Sequence, residues 1–133
     1  MPATGRVLLD TNILIALLAE EALVVRHVQE ADAVYVPAIA LGELYYGARK
    51  SARAAANVQR VGALAAASAV LACDAATAAA YGELKAELRA RGAPIPENDL
   101  WIAALARQHQ LALVSRDSHF GGVPDLEVVT WSA

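Results

Sequence analysis

Arg6-Val7-Leu8-Leu9-Asp10-Thr11-Asn12-Ile13-Leu14-Ile15-Ala16-Leu17-Leu18 is the stretch from which the rest of this chain can be read. Its opening valine and leucine run has the pattern of a strand buried on both faces of a parallel sheet. The longer apolar stretch from Ile13 reads as a helix that crosses back over that sheet. Asp10 then falls at the carboxyl end of the first strand, the edge where open α/β sheets bind ligands. Thr11 or Asn12 is placed to cap the helix while orienting the Asp10 carboxylate. A plain helix-capping role for Asp10 itself is the competing explanation.

The same alternation continues outward. Residues 23–31 read as helix, 33–36 as a strand running up to Pro37, 38–48 as helix and 53–67 as helix. Residues 70–73 follow as strand, 75–91 as a helix stopped by Gly92, and 111–115 and 128–131 as strands. Between them, Pro94 and Pro96 favour an extended entry to an apolar helix that starts at Asn98 or Asp99 and runs to about Gln110. Strands alternating with helices predict an α/β fold with a central, mainly parallel sheet of about five strands and helices on both faces. Right-handed crossovers bring the carboxyl ends of the strands to one edge. With 133 residues, 57% of them hydrophobic, the chain reads as one domain spanning 1–133. The alanine-rich region from Ala52 to Ala80 keeps a helical division of polar and apolar positions and reads as small-residue helices, not disorder.

Four acids stand where carboxylates are costly unless something neutralises them: Asp10, Glu43, Asp99 and Asp117. Glu43 borders the apolar stripe of Ala40, Leu41, Leu44, Tyr45 and Ala48, and Gly42 beside it leaves room for a close approach. Asp99 sits in a first helical turn, where the macrodipole favours an anion and capping is the rival role. Asp117 repeats the Asp10 pattern just past the strand ending at Ser115, before a turn marked by Gly121 and Gly122. Each acid alone admits a structural role, whereas four in these contexts describe a cluster. Converging carboxylates must take up protons or hold a cation, and oxygen ligands select magnesium or manganese, as one ion or two. Zinc would call for clustered His and Cys, and the chain scatters Cys73, His27, His109 and His119. His119 is expected to face solvent and Cys73 to lie in the core.

The segments Leu8-Leu9-Asp10-Thr11-Asn12, Leu41-Gly42-Glu43-Leu44-Tyr45-Tyr46-Gly47, Asn98-Asp99-Leu100-Trp101-Ile102-Ala103-Ala104 and Leu113-Val114-Ser115-Arg116-Asp117-Ser118-His119-Phe120 resemble the PIN-domain nucleases, in particular the VapC toxins of bacterial toxin–antitoxin pairs. The resemblance spans nearly the whole chain and implies a three-layer α/β/α PIN-like fold. It implies that Asp10, Glu43, Asp99 and Asp117 are catalytic and bind Mg²⁺ or Mn²⁺, with Thr11, Asn12, Ser115 and Arg116 as polar neighbours orienting substrate, water or carboxylates. Ser115 stands where many relatives carry threonine, and the hydroxyl is kept. An RNA substrate such as tRNA or ribosomal RNA, a small antitoxin protein and a homodimer are implied in the same way. The rival classes are a non-catalytic PIN-like module binding RNA or protein, and a housekeeping nuclease outside any toxin system. A receiver-type signalling domain would require paired acids after the first strand, and Asp10-Thr11-Asn12 lacks the pair.

The net charge of −3 argues against broad electrostatic binding to nucleic acid, so substrate contacts must be local. Arg49, Lys50, Arg53, Arg91 and Arg116 are candidates to hold a phosphate backbone, while Lys85 and Arg89 read as solvated helix positions. Of Tyr45 and Tyr46, at least one is expected in the core, leaving the other to stack on bases or line an interface. No stretch is long enough to cross a bilayer, and one cysteine precludes an internal disulfide. Both features point to the cytoplasm.

Overall fold

The computed structural model describes residues 5–131. Strand β1 (Arg6–Leu9) lies at the centre of a five-stranded sheet, paired on one side with β2 (Ala33–Pro37) and on the other with β4 (Ala112–Val114). β3 (Ala69–Leu71) extends the first side and β5 (Val128–Val129) the second, giving the order β3-β2-β1-β4-β5 with every pair parallel. Leu8 is in register with Tyr35 on β2 and with Leu113 on β4.

Parallel neighbours need long crossovers, and pairs of helices supply them. Helices α1 (Thr11–Leu18) and α2 (Ala22–Glu30) join β1 to β2, and α3 (Ala38–Arg49) and α4 (Ala54–Ala67) join β2 to β3. Helices α5 (Ala75–Ala90) and α6 (Glu97–His109) then carry the chain past β2 and β1 to β4. The strand order therefore reverses between β1 and β4. That topological switch point is the crevice where open parallel sheets bind ligands, and Asp10 follows β1 there.

The expected α/β architecture is present, with Val7, Leu8, Leu9, Leu113 and Val114 wholly buried between helical layers. Helix α6 is buried over Leu100 and the run from Ile102 to Ala106, where three alanines permit close contact with neighbours. α5 stops as expected, with Gly92 at φ +67°, whereas α6 stops at Gln110, which takes the left-handed conformation at φ +56° with no glycine to announce it.

Several boundaries differ by a residue from the sequence expectation, β4 (Ala112–Val114) among them, and three differences bear on what a residue does. Helix α6 starts one residue earlier, at Glu97, because Pro96 supplies the extended residue before it. β5 ends at Val129, and Trp131 is instead buried with its ring stacked 5.0 Å from that of His27. β3 covers only Ala69–Leu71, so Cys73 lies beyond it and is exposed, not in the core. β3 is an edge strand paired only with β2, and the chain leaves it to reach the cap of α5. There Asp74 accepts from the Thr77 backbone N–H while its own N–H donates to Thr77 Oγ1, each at 3.0 Å. The wholly buried Thr77 also donates to Gln108 on α6, so this capping box ties two helices together.

Two outcomes follow. Leu8→Ala removes a fully buried side chain from the central strand and is expected to lower unfolding free energy by about 2–5 kcal/mol in urea titration. The Asp74 carboxyl is held below its ordinary value of 3.8, first by the Thr77 backbone N–H and then by the Thr77 hydroxyl and Gln108. A depressed folded pKa contributes stability above the unfolded value, which is lost as pH falls through the folded one. The Tm gap between wild type and Asp74→Ala should therefore be full above pH 3.8 and close as pH drops below it.

Candidate active site

Asp10 is built into the switch point by the backbone. Its N–H donates to the Val114 carbonyl across from β4 at 3.0 Å, and its own carbonyl accepts from the Ile13 and Leu14 amides to start α1. The side chain is only 4% exposed, with one oxygen accepting from the Thr11 N–H at 2.8 Å and the other from the Ser115 hydroxyl at 2.7 Å. Asp10 itself, and not Thr11 or Asn12, caps α1, since the helix already begins at Thr11. Burial pushes the Asp10 carboxyl above its usual range, against the pull of the Ser115 and Thr11 hydrogen bonds, and the charges of Asp99 and Glu43 push the same way.

Ser115, 1% exposed, is the junction on the β4 side. Its hydroxyl donates to Asp10 and accepts from the Asp117 N–H at 2.9 Å and, at 3.5 Å, from the Asn12 amide. Asn12 in turn accepts from the Arg116 N–H at 3.2 Å. Two loops that both leave the sheet at this edge are thereby locked to each other. The Arg116 guanidinium forks onto Glu21 at 2.6 and 3.1 Å, and this contact holds the Glu21 carboxyl below the usual range.

Asp99 arrives from the first turn of α6 and Asp117 from the N-cap of a 3₁₀ turn over Ser118–Gly122. Between them lies the residue that sequence reasoning set aside. His119 Nδ1 is 2.7 Å from Asp99 Oδ2 and 3.1 Å from Asp117 Oδ1, and its backbone N–H donates to the same Asp117 oxygen at 2.9 Å. The hydrogen bond to Asp99, seconded by the nearby carboxylate charges, holds the His119 imidazole above its ordinary range. The side chain is exposed, as expected, but one ring nitrogen is directed into the acids, a contact the sequence reading did not anticipate. The Asp117-Ser118-His119 spacing carried the clue, since a turn that caps itself on an acid brings the second residue onward back toward it.

Glu43 is exposed on α3 and joins through Thr11, whose hydroxyl donates to Glu43 Oε1 at 2.7 Å. One ligand atom each from Asp99, Asp117 and His119 lies within 4.8 Å of the others. Asp10 and Glu43 flank this triad, coupled to it by charge and by the Ser115 and Thr11 bridges. The donor set is mostly carboxylate oxygen with one imidazole nitrogen and no thiolate, which suits a hard or borderline divalent cation. Such an ion fits these residues, since a cation would offset the burial of the Asp10 charge first and its repulsion by Asp99 and Glu43 second.

The family model for the PIN domain matches residues 7–126. The chain belongs to the PIN-domain family. A protein named ribonuclease VapC2, from Haemophilus influenzae, is 37% identical over 127 residues, covering 93% of this chain and 96% of its own length. The tRNA(fMet)-specific endonuclease VapC of Shigella flexneri is 32% identical over 128 residues, covering 94% and 97%. Among solved structures, promoter-DNA-bound VapBC2 from Rickettsia felis superposes with a TM-score of 0.88 at 26% identity, over 95% of this chain and 98% of the other. DNA-bound VapBC from Salmonella typhimurium also gives 0.88, at 28% identity over 96% and 98%. PIN-domain nucleases in general use a divalent metal, and the acidic cluster at the switch point of this PIN domain has the character such an ion needs.

If Ser115 carries the link between the two loops, its hydroxyl must be measurable in stability. Ser115→Ala strands a buried carboxylate oxygen and the Asp117 N–H, and is expected to cost about 1–3 kcal/mol in urea titration in chelator. Ser115→Thr keeps the hydroxyl and should recover most of that loss.

Proposed function

We propose that this PIN domain, residues 1–133 acting as one unit, is a metal-dependent endoribonuclease and the toxin of a toxin–antitoxin pair. The reading is supported by the grouping of Asp99, Asp117 and His119, with Asp10 close enough to feel the charges of Asp99 and Glu43, in a chain that also matches a VapC ribonuclease over 93% of its length. Asp10, Glu43, Asp99 and Asp117 are the proposed metal-binding and catalytic acids, holding one or two Mg²⁺ or Mn²⁺ ions. Bound there, the metal would supply an activated water and neutralise charge on the phosphate.

The chain's own part is preorganisation. Ser115 and the Thr11 N–H fix both oxygens of Asp10 so that neither rotates when substrate arrives. Thr11 holds Glu43 toward the same edge, Asn12 braces the backbone of Arg116, and His119 keeps Asp99 and Asp117 together. An acidic pocket repels a polyanion, so local cations must offset it. Arg49, Lys50 and Arg53, all exposed where α3 gives way to α4, are suited to hold the RNA backbone. No covalent enzyme intermediate is required.

An antitoxin partner is supported by the neighbouring structures, which are VapBC toxin–antitoxin complexes. The proposal extends to RNA of the tRNA or ribosomal class as substrate, to a homodimer and to action in the cytoplasm. Among the described residues no helix is long and apolar enough to cross a membrane.

Incubated with tRNA and ribosomal RNA in Mg²⁺ or Mn²⁺, the purified chain is expected to cut, and chelator should stop it. Asp10→Asn should abolish cleavage while leaving the circular-dichroism spectrum intact. Cleavage that persists equally in the variant would place the chemistry elsewhere.

A further inference from the structure

Glu43 has a second side. Away from Thr11 it borders an open cleft of about 520 Å³ between α3, the chain after β3 and the start of α6, lined by Ile39, Gly42, Glu43, Tyr46, Cys73 and Asn98. The two adjacent tyrosines of α3 diverge at this point. Tyr45 packs against the core with its hydroxyl toward Gly62 on α4, whereas Tyr46 is 67% exposed and faces the cleft. A large aromatic ring left open to water beside an acidic cluster has no evident structural purpose.

Three further features define what would fill the space. The Lys50 ammonium stands 4.8 Å from the centre of the Tyr46 ring, so an aromatic face and a cation are presented together. Asn98, next to Asp99, contributes an amide that makes no hydrogen bond among the described residues. Gly42 lies on the cleft side of α3, and a Cβ built there meets nothing within 4 Å. A flat ring to stack on, an unused amide donor and acceptor, a cation for phosphate and a floor without a side chain are the requirements of an unpaired base.

We infer that this cleft receives a single unpaired nucleobase of the RNA, adjacent to the phosphate held at the acids, with Tyr46 stacking on it and Asn98 reading its edge. The inference rests on the nuclease reading and adds a specificity subsite to it. Glu43 is the shared wall: one oxygen is held by Thr11 at the acidic edge while the side chain bounds the base cleft. Tyr46 and Asn98 touch substrate in this arrangement but not the reacting atoms.

Gly42 makes the test clean, because filling the cleft costs the fold nothing. Gly42→Leu places a side chain in open space and replaces glycine within a helix by a better helix former, so Tm should hold or rise. Binding of short fluorescent single-stranded oligoribonucleotides in Mn²⁺, differing in one base, is measured on the Asp10→Asn chain so that turnover plays no part. Gly42→Leu and Tyr46→Ala are each expected to weaken binding by roughly 5- to 150-fold, the range for one lost stacked base, and to flatten the preference among bases. Tyr46→Phe should bind as the parent does. Unchanged affinity and base preference in Gly42→Leu would overturn the subsite. So would a change in the solution mass of Gly42→Leu with RNA binding intact, which would assign the face to a second copy of the chain. Cleavage by the Asp10-intact protein is followed separately: its absence would sink the nuclease reading, while a loss of RNA binding on filling the cleft would still uphold the base subsite.

Discussion

A carboxylate is buried at the end of the central strand, and the hydrogen bond it accepts from Ser115 is the contact on which the surrounding architecture turns. Asp10 cannot be solvated where it sits, so its oxygens must be satisfied from within. One donor comes from the next residue and the other from 105 positions further along the chain. The second donor fixes how the β1 and β4 ends face each other, and Asp10, Ser115 and Asp117 are all carried by those two ends. Remove it and the Asp117 N–H and the Asn12 amide lose their common acceptor too.

Holding acids close costs stability, and the fold distributes that cost. Asp10 is raised by burial and by the charges of Asp99 and Glu43. Asp99 and Asp117 share His119, which stands between them as a positive or hydrogen-bonding spacer. Glu43 remains exposed and is positioned by a single hydroxyl. The centre is therefore graded, from a fixed buried carboxylate to a more accessible one at the rim. Such a gradient suits a site in which one part holds a cation and another meets an incoming polyanion.

Three of the basic side chains are paired with acids. Arg116 is tied to Glu21, Arg107 to Glu83 and Glu87, and Lys85 to Glu97. Surface pairs of this kind contribute little to stability, but they remove cations from the pool available to a polyanion. The exposed basic residues between α3 and α4 acquire importance by contrast. An exposed Tyr46 with Lys50 over its ring lies on the same helix as Glu43, which links the rim of the acidic centre to a surface suited to RNA.

The local pattern determined the layers, the parallel sheet and the placing of Asp10 and Asp117 at strand ends, because strand burial, helix periodicity and glycine or proline stops are written in neighbouring residues. Even there, Gln110 ended a helix without a glycine, and β3 stopped short of Cys73, since an edge strand is bounded by where its single partner ends. The sequence also carried the four acids, as types and contexts that made sense only in combination. Tertiary structure alone decided which atoms meet: the Ser115 bridge, the Thr11 bond to Glu43, the divergence of two adjacent tyrosines and the insertion of His119 between Asp99 and Asp117. Side-chain contacts across a switch point join residues a hundred positions apart, and their geometry depends on strand register and crossover path, which no local pattern encodes.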